Sequence, residues 1–327
     1  MEHDVDINQG NHDGNSPLKI ACFYGFENIV KYLVEHEADV NQENANDETP
    51  LIDACDNGND NIVKYLLEHV SEIDQRDSNG DTSLNVACIK GNENIVKCLV
   101  EHGANINQEN HESDSPLNLA CYLGYENIVK YLVDHGANVN IENHFNQTPL
   151  IDACNKGNER IVKYLLEHGA DIIKDGNESL RAACKKNNKD IVKCLVEYGV
   201  NIHHCIGFTP LTIACENGNE ILVKYLVEQG MDVNKDESIV SAYEIGNETI
   251  VRFLVEHGAD VNVRNRNGLT PLQATFLHKT LSHVSIRNYL IQQGAKEDKN
   301  SNDFSDDSDD EYEYLDYVQY CDSDSDI

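Results

Sequence analysis

The chain has 327 residues, with 58 Asp and Glu against 25 Lys and Arg, for a formal net charge of −33. That balance argues against duplex DNA and anionic membrane as partners, since both are held by clustered cations against phosphate, and it suits a basic protein target or plain solubility. No apolar run approaches the ~20 residues that a membrane helix needs, and Met1-Glu2-His3-Asp4-Val5-Asp6 carries neither a basic stretch nor an apolar one of the secretory kind.

Taken in chain order, the sequence repeats itself. Residues 1–10 read as the remnant of a preceding unit, because Glu2-His3-Asp4-Val5-Asp6-Ile7-Asn8 matches Glu35-His36-Glu37-Ala38-Asp39-Val40-Asn41. Leucines then recur at Leu18, Leu51, Leu84, Leu117 and Leu150, a spacing of 33 each time, and the series continues through Leu180, Leu211, Ile239 and Leu272 at spacings of 30, 31, 28 and 33. The region 11–297 therefore holds nine units, the last a diverged cap with about three extra residues between its helices and a polar Gln292-Gln293. In each unit a hydroxyl residue followed by proline, as in Thr49-Pro50 and Ser115-Pro116, predicts the start of a first helix. That helix ends after an Ala-Cys pair, and a Gly-Asn pair (Gly58-Asn59, Gly91-Asn92, Gly157-Asn158, Gly218-Asn219) breaks the chain. A second helix follows, typified by Asn61 to His69, with Ile62, Val63, Leu66 and Leu67 at helical spacing. Gly103, Gly136, Gly169, Gly199, Gly230 and Gly258 end it where a left-handed residue is wanted.

These features, including Gly80-Asp81-Thr82-Ser83-Leu84, Ala87, Gly91, Ile95-Val96-Lys97, Leu99-Val100 and His102-Gly103-Ala104, resemble the ankyrin repeat over most of the chain. The resemblance implies an all-α solenoid of about nine helix-turn-helix units with short β-hairpin fingers between them. Two departures stand out. The histidine that the family often places after Pro-Leu is absent (Lys19, Ile52, Asn85, Asn118, Ile151), which implies some lost stability on the same fold. Glu37 and Val70 occupy the helix-ending glycine position, where a non-glycine costs about 1 kcal/mol if it must be left-handed.

Several columns carry reactive residue types. Cys22, Cys55, Cys88, Cys121, Cys154, Cys184 and Cys215 recur once per unit, about 10 Å apart by helix-packing distances. That is too far for disulfides or a shared zinc ion, so they read as small core residues. Cys98 and Cys194 replace members of a tyrosine column; only Cys205 and Cys321 stand where a thiol is open to reaction. His36, His69, His102, His135, His168 and His257 read as helix-end donors, and His203-His204-Cys205 as a turn rather than a metal site. No catalytic or nucleotide-binding motif occurs. The chain is therefore expected to be no enzyme and to need no cofactor or metal.

Partners of a solenoid meet the residues that do not repeat. The candidates are Phe23, Tyr24, Tyr122 and Leu123 after the Ala-Cys pair, and Phe145, Ile206 and Phe208 at finger tips, with Tyr122, Leu123 and Phe145 expected to form one patch. Lys156, Arg160, Lys174, Arg181, Lys185, Lys186 and Lys189 form a basic island around the sixth unit, whose fingers look trimmed. Residues 298–327 are an acidic tail too poor in apolar residues to fold alone. It carries candidate phosphorylation sites at Ser308 and Ser323 and a tyrosine cluster within 312–320. As a coil it spans about 30 Å, enough to compete for the basic island.

The expected function is a monomeric, cytoplasmic or nuclear scaffold or adaptor that binds a protein through finger tips and the concave first-helix surface. It would use no nucleic acid, membrane insertion or small-molecule substrate. Two alternatives are a substrate-recruiting subunit of an enzyme complex, such as a ubiquitin ligase or kinase, and an orphan member of an expanded repeat family.

Overall fold

The computed structural model describes residues 6–203, 205, 209–235, 237–265, 268–274 and 281–296. The chain divides into two compact units, Met1–Ser238 and Ile239–Ile327. The first contains seven helix pairs: α1 Pro17–Phe23 and α2 Glu27–Glu35, α3 Pro50–Asp56 and α4 Asp60–Leu67, α5 Ser83–Lys90 and α6 Glu93–Glu101, α7 Pro116–Leu123 and α8 Glu126–Asp134. It continues with α9 Pro149–Lys156 and α10 Glu159–Glu167, α11 Ile172–Lys185 and α12 Lys189–Glu197, α13 Pro210–Glu216 and α14 Glu220–Glu228. First helices pack on first helices from α1 to α13, and second helices on second helices from α2 to α14. The remaining helices are α15 Ser238–Glu244, α16 Glu248–Glu256, α17 Pro271–Ala274 and α18 Leu281–Gln292. In the second unit α16 and α17 both pack on α18, Tyr243 is fully buried edge-on to His283, and Arg252 lies 4.2 Å from the Tyr289 ring centroid.

Local chemistry sets the helix boundaries. The hydroxyls of Ser16, Thr49, Ser115, Thr148 and Thr209 each accept from the backbone N–H three residues on, and proline follows each of them. At α5, which has no proline, Thr82 and Asn85 satisfy each other's backbone N–H groups reciprocally. Most second helices end at the histidine column, α12 and α14 ending instead at Tyr198 and Gln229. The Nδ1 atoms of His36, His69, His135 and His168 lie 2.7–2.8 Å from the carbonyl four residues back. A carbonyl only accepts, so Nδ1 carries the proton, and each ring also lies against the tyrosine of that turn. These histidines cap helices, as expected.

The core is built from the repeated columns. Leu18, Leu51, Leu84, Leu117, Leu150, Leu180 and Leu211 are buried, as are the seven Ala-Cys cysteines. Burial pushes those thiols far above their ordinary pKa, so they are inert packing groups. Neighbours complete each layer: Ile62, Ile95, Ile128 and Ile161 are buried, whereas the equivalent Ile29 of the first pair is 48% exposed.

The fingers are tight turns. Asn44, Asp77, Asn110 and Asn143 each accept through Oδ1 from the N–H groups two and four residues on. Successive tips are tied by Ala45 N–H to Asp13 O, Ser78 to Asn46, His111 to Asn79 and His144 to Glu112, at 2.9–3.0 Å. Among the described residues only Arg76 and Thr82 pair as a β-bridge. The sixth unit departs from expectation. Its shorter spacing is not a trimmed finger: Asp171 caps a fourteen-residue α11 that begins well before Leu180. Thr148 donates to Asp175 inside this extension, at 2.7 Å, and Gly176 sits where a Cβ would meet Val200 at 2.9 Å.

The two non-glycine helix ends behave differently. Glu37 adopts φ 65°, the left-handed conformation its glycine counterparts use. Val70 does not: its N–H returns to Leu66 O at 2.9 Å, and the helix stops without a left-handed residue. A β-branched side chain makes that conformation too costly. Glu37→Gly should therefore raise stability by about 1 kcal/mol in urea unfolding, while Val70→Gly brings no gain.

Candidate interaction surface

The variable pair after Ala-Cys falls at the end of each first helix, and there the first unit exposes a continuous aromatic ledge. Phe23 and Tyr24 meet edge-on with centroids 5.1 Å apart, and Tyr24 stacks on Phe26 at 5.7 Å. Tyr24 is 64% exposed. The ledge borders an open cavity of about 590 Å³ over the first three helix pairs, with Ile20, Ile52 and Val86 as further apolar lining. Phe26 is the member that the repeat pattern obscured. It stands where Asn59, Asn92 and Asn158 complete the Gly-Asn pair, so its departure from asparagine was the available signal.

The same cavity is lined by a charge cluster. Lys19 Nζ is 2.6 Å from Asp53 and 3.0 Å from Glu48, and both Lys19 and Asp53 are almost fully buried. Burial pushes Asp53 up and Lys19 pulls it back, leaving it at about 6. Lys19 belongs to the column where histidine was missing, and Asp53 to the next column on the following helix pair. The same step places Ile52 beside Val86 in sequence register, and joins Asn118 to Asp152 at 3.2 Å. Asn85 reaches the Gln108 and Asp114 carbonyls at 3.4 Å. At Lys19, Asn85 and Asn118 the absent histidine is thus replaced by bonds that cross between units, whereas Ile52 and Ile151 are buried apolar contacts.

Elsewhere the predicted residues are less convergent. Tyr122 is exposed on α7 and Leu123 is half-buried beside it. Phe145 is exposed at a finger tip, its N–H held by Asn143 Oδ1 at 3.0 Å. Among the described residues no ring contact joins Phe145 to Tyr122. Ile206, Phe208, Ser308, Ser323 and Cys321 lie outside the described residues.

A family model described as ankyrin repeats in three copies matches overlapping segments 1–77, 38–110, 69–143, 106–175, 136–204 and 173–237. A second, described as ankyrin repeats in many copies, matches 242–291. The chain belongs to the ankyrin-repeat family. No curated protein matches it as a relative. Within this ankyrin array the basic island is partly paired. Arg160 pairs with Glu126, Lys174 with Glu142 and Arg181 with Glu178, while Lys189 lies over the Tyr225 ring. Lys156, Lys185 and Lys186 are exposed, with no carboxylate in ion-pair range among the described residues. No group of metal-ligating residues occurs among the described residues, and no described helix is long and apolar enough to cross a membrane. Cys205 is half-buried, its thiol pushed up to about 11, so it is protonated at neutral pH.

Two outcomes follow from the buried acids. Lys19→Ile should cost about 3 kcal/mol by stranding Asp53, while Lys19→Ile/Asp53→Val, which copies the Ile52 and Val86 pair, should be nearly neutral in the same unfolding assay. Asp152 is 5% exposed, and burial pushes its carboxyl up to about 7 against the pull of Asn118. A raised carboxyl favours folding at low pH and loses that contribution as pH rises from the unfolded value through about 7. Asp152→Asn should therefore stabilise the ankyrin array at pH 8, on the order of 2 kcal/mol, with the difference closing as pH falls toward 4 in paired thermal melts.

Proposed function

We propose that this ankyrin-repeat protein is a non-catalytic scaffold or adaptor that binds a protein partner through its first-helix face and finger tips. Ankyrin repeats are in general protein-interaction modules, and one observation carries the reading to particular residues. Phe23, Tyr24 and Phe26 form an exposed, mutually packed ledge at positions that hold polar side chains in most other units. Exposed aromatic side chains bring large contact area at low entropic cost, and they dominate binding energy at interfaces. Tyr122 and Phe145 supply a second, separate pair of anchors. The repeated columns are absorbed by packing and helix capping, so the variable positions are what remains for recognition.

The test is affinity capture from native extract with the intact chain, beside Phe23→Ala/Tyr24→Ala and Tyr122→Ala/Phe145→Ala. A stoichiometric partner depleted about tenfold by the first pair is the expected result. A partner lost only with the second pair would move the interface to the fourth and fifth units. The same captured set with all three proteins would overturn the reading.

A further inference from the structure

The groove over the first three units has a charge pattern that restricts its partner. Its lining includes the carboxylates Asp13, Glu48, Asp53, Asp56 and Asp77, and a single lysine, Lys19. That lysine is already spent on Asp53 and Glu48. Lys90 reaches Asp56 at 2.7 Å from outside the lining, leaving both partly exposed. Asp13 and Asp77 have no cation in ion-pair range among the described residues. Asp77 accepts only turn hydrogen bonds, from Asn79 and Asp81. The Phe23, Tyr24 and Phe26 rings stand on the same rim or next to it.

We infer that this groove receives a cationic segment of a protein partner, with an arginine set against the aromatic ledge and the finger-tip carboxylates. The inference rests on the reading that the chain binds protein, and it names the chemistry of that partner. An anionic segment, the chain's own acidic tail included, meets like charge there. A wholly apolar segment would cover Asp13 and Asp77 without pairing them, and a buried unpaired carboxylate is strongly unfavourable. A guanidinium satisfies both halves of the surface. Its flat face stacks on aromatic rings, its N–H fork pairs with carboxylates, and it sheds water more readily than an ammonium. Aliphatic neighbours on the segment would cover Ile20, Ile52 and Val86.

The probe is a fluorescein-labelled peptide of alternating arginine and leucine, with a twin in which citrulline replaces arginine, titrated into the full chain by anisotropy. The arginine peptide should bind about tenfold more tightly than its twin. Phe23→Ala/Tyr24→Ala and Asp13→Asn/Asp77→Asn should each weaken it by a similar factor of roughly ten. Asparagine occupies the Asp77 column at Asn44, Asn110 and Asn143, so that substitution keeps the turn, and circular dichroism melts check the fold. A control, Glu68→Gln/Glu101→Gln, removes equal charge on second helices and should change affinity by less than about twofold. If the control weakens binding as much, the peptide answers only to net charge and the inference falls. Equal binding of the citrulline twin, or no binding of either peptide, also overturns it. A captured partner sensitive to Phe23→Ala/Tyr24→Ala would then leave the scaffold reading intact. Self-association by sedimentation, abolished by the same groove variants, would replace the partner with a second copy.

Discussion

A single pair of short helices cannot hide its own apolar face; it is stable only against another pair. This nearest-neighbour burial governs the structure. Leu117 and Cys121 of α7 are sealed by α5 on one side and α9 on the other, and Ile128 by the second helices to either side. At Ile29, with no second helix before α2 among the described residues, the same residue type stands half exposed. The repetition of the columns is the imprint of that requirement.

Because the columns must repeat to stack, recognition is left to positions where repetition lapses. The lapses here are of two kinds. Some are buried and structural: Lys19 with Asp53, Asn118 with Asp152, and Thr148 with Asp175 join adjacent units by polar bonds where other units use apolar contact. Such links differ from one junction to the next: the slot that holds Lys19 against Asp53 holds Asn118 against Asp152 and the apolar Ile52 against Val86. Others are exposed, and the aromatic ledge is the clearest. Its rings cannot be explained by packing within the unit, because Tyr24 remains largely open even after stacking on Phe26.

The surface charge follows the same division. The second helices carry a lattice in which a lysine is clamped by its own glutamate and lies over the tyrosine of the next unit, as Lys31 does with Glu27 and Tyr65, and Lys97 with Glu93 and Tyr131. These exposed pairs contribute little energy each and mainly keep cations occupied. The first-helix face has fewer such pairs. Charge there remains available to a partner, negative near the first three units and positive at Lys185 and Lys186.

Period, caps and apolar spacing were legible in the chain alone, since each reports a local need: a hydroxyl before proline, a glycine after a helix, an isoleucine-valine pair facing inward. So were the roles of the cysteine and histidine columns, because one residue per unit cannot converge on a single site. Tertiary structure decided the rest. The spacing of 30 before Leu180 looked like a shortened finger, yet Asp171 and the contact with Thr148 turn the segment into helix. Lys19 and Asp53 lie 34 residues apart, and nothing local marks them as a buried pair. The ledge became a groove only when the fingers of three units were set side by side. Sequence determines what each unit can do by itself, whereas a surface shared between units depends on distances that exist only after stacking.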